Sequence, residues 1–111
     1  GWVTATMEMD EMEMEGYRSP ELETPSEMID LLKRNTSQAE KALQKPDEDF
    51  LKNWKMLLSG KTVMDMPKLN VLRTMVLNQL PHHRAQLGVY FRLLDIPVPA
   101  TYGPSADEGV D

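Results

Sequence analysis

Cysteine is absent from the 111 residues. That omission removes disulfide frameworks, thiolate metal sites and cysteine nucleophiles together, and it fits a reducing compartment, so a cytoplasmic location is expected. Long apolar runs are missing too. No stretch approaches the roughly 20 residues a membrane-spanning helix requires, and no basic start followed by an apolar stretch marks an export signal, so no membrane partner is expected. Basic charge is in deficit: 12 Lys and Arg face 18 Asp and Glu, for a formal charge of −6. The acids crowd between Glu8 and Glu27, where Arg18 is the only opposing charge. Such a field repels phosphate backbones, which argues against nucleic acid as a partner. Lys68, Arg73, Arg84 and Arg92 are spaced along the later part of the chain and read as a solvated helix face.

What is present is the composition of an ordinary globular protein, 41% hydrophobic and 27% charged, in a length that fits one domain over residues 1–111. The sequence opens at Gly1-Trp2 without an initiator methionine, which points to a processed chain or an incomplete reading frame. Trp2 to about Met14 contains no Gly or Pro, is rich in Met and Glu, and stops at Gly16, so it reads as a helix. A loop through Ser19-Pro20 follows. Thr24, Pro25 and Glu27 then form a helix start with a capping box. Met28, Leu31, Leu32, Ala39, Ala42 and Leu43 recur at helical spacing until Pro46 prevents continuation. Between Asp47 and Met66 the pattern loosens, and Ser59-Gly60 marks a turn inside a small hairpin or an irregular segment.

Pro67 opens the longest periodic segment. Leu69, Leu72, Val76, Gln79, His83, Leu87, Tyr90 and Leu94 recur at steps of three or four, which predicts one inward helix face. Pro81 is expected to kink this helix without ending it, because it removes the amide that would bond to the Leu77 carbonyl. Asp95-Ile96-Pro97 ends it, and residues 96–111 are expected to run extended, with Val98 and Tyr102 as anchors.

Gln79 and His83 are polar residues at stripe positions where Leu or Val is expected. Four residues apart, they stack one turn over the other, a geometry by which two side chains can hold one metal or one substrate group. Gln86 and Tyr90 extend the polar line. His82 lies about 100° around the helix from His83, so only one of the two is a candidate for the same site. The bland alternative is a histidine satisfied by a hydrogen bond to Gln79, with no metal. The run Met7, Met9, Met12, Met14 offers soft thioether ligands for Cu(I), but methionine is also a helix former that fills core gaps, and on a helix a spacing of two places partners on different faces.

The segment Asn78-Gln79-Leu80-Pro81-His82-His83-Arg84-Ala85-Gln86, continued by Leu87 to Leu94, resembles the last helix of DinB-like proteins, whose pattern is Asn-His-x-x-His-His-Arg-Gly-Gln before an apolar stretch. Ile96-Pro97-Val98-Pro99 and Tyr102-Gly103-Pro104-Ser105-Ala106-Asp107-Glu108 are similar to the family's C-terminus. The resemblance extends more weakly back to Gly1-Trp2.

That resemblance implies an all-α fold, an up-and-down four-helix bundle with its first helix missing. It implies a divalent metal, Ni or Zn, held by three histidines, and a thiol transfer activity with a small thiol substrate. By position, the second histidine of the last-helix pair corresponds to His83 and the first to Gln79, while the third ligand would lie before Gly1. One good imidazole donor falls short of the three ligands plus an open position that metal catalysis needs, so weak metal binding is expected. The alternative is a catalytically silent scaffold or interaction bundle without metal. A bundle short of one helix leaves an apolar groove between the opening helix and the last one, which predicts either a homodimer or a marginal, partly molten monomer.

Overall fold

The computed structural model describes residues 1–108. The opening segment forms a helix only over Trp2–Glu8 (α1) and then straightens, with Met9 already extended at φ −118° and ψ 159°. Two lysines account for the stop. Lys68 Nζ donates to the Met7 and Met9 carbonyls at 3.3 and 2.8 Å, and Lys45 Nζ donates to the Met7 carbonyl at 3.2 Å. Carbonyls that a continuing helix would bond internally are thus taken by ammonium groups brought from elsewhere in the chain.

Glu11–Glu13 then forms a strand, β1, rather than the second half of a helix. Met12 is half-buried between exposed Glu11 and Glu13, the alternation of a strand with one covered face. After the loop, Thr24 caps α2 (Pro25–Ala42) with the expected box: its hydroxyl accepts from the Glu27 amide, and the Glu27 carboxylate accepts from the Thr24 amide. Two amides, of Glu23 and Thr24, hold the Glu27 carboxyl below the usual range. A short helix, α3 (Asp47–Leu51), leads into β2 (Asn53–Leu58) and β3 (Lys61–Pro67).

The strands make one sheet in the order β1-β2-β3, with β1 parallel to β2 and β2 antiparallel to β3. The parallel pair requires a crossover, which α2 and α3 supply. Ser59 and Gly60 turn the hairpin with φ of +51° and +71°. Two left-handed residues make the tight turn whose twist matches the paired strands. The Glu13 carboxylate fixes that turn to β1 by accepting from the Ser59 amide at 3.2 Å and the Gly60 amide at 2.9 Å.

The expected all-α four-helix-bundle fold is therefore overturned: the chain is an α/β structure with a three-stranded mixed sheet. Of the two readings of the segment before the last helix, hairpin or irregular, the hairpin is the one that forms; the third strand was not expected.

By its internal contacts the chain separates into two units, Gly1–Val76 and Leu77 onward. In the first, Met7, Ala42 and Leu72 form the buried cluster, with Val3, Phe50 and Val76 packed against it. Trp54 and Val71 are fully buried, and Trp2 meets the Trp54 ring edge-to-face at 6.2 Å. The opening helix is thus core, not the wall of an open groove. Beyond β3 come α4 (Lys68–Leu72) and a π-helical stretch over Arg73–Leu77. The Thr74 hydroxyl donates to the Asn70 carbonyl at 2.8 Å, competing with the backbone ladder where the helix loosens.

The second unit holds α5 (Gln79–Leu93) and the tail. Pro81 does not kink a running helix. It is the third residue of α5, where its missing amide is among those a helix leaves unpaired in any case. No helix among the described residues is long and apolar enough to cross a membrane.

Candidate functional site

Every side chain of the expected polar line on α5, Gln79, His83, Gln86 and Tyr90, is exposed. The predicted inward stripe holds only at its start: Leu72 is buried and Val76 half-buried, while Leu87 and Tyr90 face solvent. The π-helical stretch Arg73–Leu77, between Leu72 and Gln79, breaks the phase that made all eight residues look coplanar. Among the described residues, no hydrogen bond joins the side chains of Gln79 and His83, and no three His, Cys, Asp or Glu groups stand close enough to hold one metal ion.

His82 behaves differently from its sequence reading. Its ring lies edge-on to that of His83, with centroids 5.1 Å apart and planes at 74°. Backbone directions 100° apart do not prevent two imidazoles from swinging together. The pair offers two nitrogen donors at the surface of α5, with Gln79 one turn away as a neutral amide.

The end of α5 is closed by Asp95 in the left-handed region at φ +54°. The Ile96 amide donates to the Phe91 carbonyl at 2.9 Å and the Asp95 amide to the Arg92 carbonyl at 3.2 Å. These are the two reverse bonds that terminate a helix and turn the chain back.

The returning tail is tied down by charge. Asp107 pairs with Arg92 and accepts from the Val98 amide at 2.9 Å; Glu108 accepts from the Ala100 amide at 2.7 Å; Arg84 donates to the Ala100 carbonyl at 3.2 Å. The Val98 amide, with Arg92 beside it, holds the Asp107 carboxyl below its ordinary range. Of the two expected anchors, Val98 is half-buried over Gly88, where an added Cβ would sit 3.7 Å from Val98 Cγ1. Tyr102 is 96% exposed and anchors nothing. The last three residues of the expected tail lie outside the described ones.

Between α5 and the tail runs a half-open groove of about 580 Å³, lined by Leu80, Arg84, Gly88 and Phe91 from the helix and by Val98 and Pro99 from the tail. Leu80, Arg84, Gly88 and Phe91 fall at i, i+4, i+8 and i+11, one continuous stripe, and Ala85 and Leu87 flank it along the same groove. Sequence reasoning found no groove here because it treated the tail as extended, anchored by Val98 and Tyr102 alone. The signal was the pair of acids Asp107 and Glu108, spaced to meet backbone amides of a chain folded back on itself.

No family model, curated protein or solved structure matches this chain. The DinB-like resemblance drawn from the last helix and the tail finds no support in these comparisons, the sheet contradicts the pure helical bundle it implied, and no family is assigned.

Proposed function

We propose that this chain is a non-catalytic interaction module that pairs with a second copy of itself through α5. The observation that carries this reading is the exposure of α5. Off the stripe that lines the groove, Val89, Tyr90, Leu93 and Leu94 are between 60% and 74% exposed. A helix with apolar residues on several sides is ordinarily buried on several sides. Contiguous apolar surface of this kind on a small protein marks an interaction site.

Charge favours a second copy as the occupant. Two chains of −6 repel, and the Glu8 to Glu27 stretch, with eight acids against Arg18, is by itself −7. From Lys68 through Leu94 there is no Asp or Glu. Pairing through α5 joins two helices that carry no carboxylate of their own. A two-fold axis through such a face brings each apolar residue against its like or its near neighbour, the usual arrangement in homodimers.

Size-exclusion chromatography with light scattering tests the reading. A dimer is expected for the wild-type chain and a monomer for the Val89→Glu, Leu93→Glu double variant, with unchanged far-ultraviolet circular dichroism. A wild-type chain that stays monomeric at every concentration, with a melting midpoint independent of concentration, refutes it.

A further inference from the structure

We infer that the groove between α5 and the tail is a binding site for a small amphiphilic carboxylate, an alkyl chain with one carboxyl group. The inference concerns the tail-facing stripe of α5 and does not depend on the pairing proposed for its other sides. At about 580 Å³ the groove lies within the usual range for small-molecule sites. Apart from Arg84 and the hydroxyls of Thr101 and Tyr102, its lining side chains are apolar. An alkyl chain is matched by Leu80, Gly88, Phe91, Val98 and Pro99.

The head group is chosen by Arg84. The two acids that hold the tail are already engaged, Asp107 by Arg92 and the Val98 amide, and Glu108 by the Ala100 amide. Among the described residues Arg84 has no carboxylate partner; its one recorded bond is to the neutral Ala100 carbonyl. A guanidinium presents five N–H donors in a planar fork, so one bond to a carbonyl leaves most of its capacity directed at an incoming anion. A carboxylate takes that fork with two parallel bonds, while a neutral alcohol cannot. The ligand therefore lies along the helix stripe with its carboxyl group at Arg84.

Octanoate and octanol, titrated into the full chain by calorimetry and by amide chemical shifts, separate the two parts of the site. Octanoate binds one per chain, and its affinity rises about fourfold for each methylene added from hexanoate upward. Arg84→Gln weakens octanoate about tenfold or more and leaves octanol unchanged. Arg84→Lys keeps the preference for the acid in part, which separates lost charge from lost folding. Ala85→Trp fills the groove from the helix and abolishes both ligands. The Val89→Glu, Leu93→Glu variant binds octanoate as the wild type does. Equal octanoate affinity in the wild type and Arg84→Gln overturns the inference. So does octanoate binding that survives Ala85→Trp, or binding lost in the Val89→Glu, Leu93→Glu variant, which would place the ligand on the other face of α5.

Discussion

Lys68 brings an ammonium to a position that is only 4% exposed, where it meets the Met7 and Met9 carbonyls and, at 3.4 Å, the Asp10 carboxylate. Three oxygens satisfy its three protons, which is the condition for keeping a buried cation. Sequence spacing placed Lys68 with Arg73, Arg84 and Arg92 on a solvated face, and nothing in its immediate neighbours signals otherwise. Its partners are some 60 residues away, so its role depends on tertiary structure. Lys68→Met nearly keeps the length of the side chain and removes its donors, leaving the Met9 carbonyl without its lysine partner and the Met7 carbonyl with Lys45 alone. The expected loss is about 1–3 kcal/mol in urea denaturation, and an unchanged midpoint would show that water replaces the lysine without cost. Thr24 is the opposite case: its partner Glu27 is three residues away, and the capping box was readable in full.

The same distinction holds for elements. The start of α2 and the Ser59-Gly60 turn are encoded locally and were legible. β1 was not, because three residues alternating Glu and Met have too little length to outweigh the helical propensity of the same residues, and the strand that selects the extended form begins forty residues later. In the candidate site, Gln79 and His83 were recognised as unusual, but their surroundings depend on the π-helical stretch, which no periodicity announces. Glu13 links β1 to the hairpin. Its carboxylate accepts from the Glu15, Gly60 and Ser59 amides, which hold it below the usual range, with the Glu15 amide the largest influence. A carboxyl whose pKa is lowered on folding contributes stability above its unfolded pKa of about 4.3 and loses that contribution as pH falls through the lower folded value. Glu27, Asp49 and Asp107 are depressed as well, so the wild type loses stability in acid from several groups. Glu13→Gln should lower the melting midpoint near neutral pH and shrink its fall between about pH 5 and pH 3. Parallel acid titrations of the two proteins would sink the assignment.

For the whole molecule, Leu72 and Leu87 belong to one stripe in the sequence but to different environments in the fold. Leu72 is 8% exposed within the cluster of Met7 and Ala42, whereas Leu87 is 57% exposed. A continuous inward face would make the two truncations equivalent. In the structure Leu72→Ala opens a cavity in the first unit and should cost roughly 2–5 kcal/mol. That loss belongs to the single chain, so it should be the same at low and high protein concentration. Leu87→Ala removes atoms that are already largely in water, and in dilute solution its effect should stay within about 1 kcal/mol. If a second copy covers Val89, Tyr90, Leu93 and Leu94, the deficit of Leu93→Ala should grow as concentration rises, because only the assembled form buries that side chain, whereas Leu87 lines the groove and its small deficit should stay constant. Thermal melts of the three variants over a hundredfold range of concentration distinguish the cases. Equal, concentration-independent losses would mean that α5 is packed within one chain, as the uninterrupted stripe implied, and would remove the basis for pairing through its exposed sides.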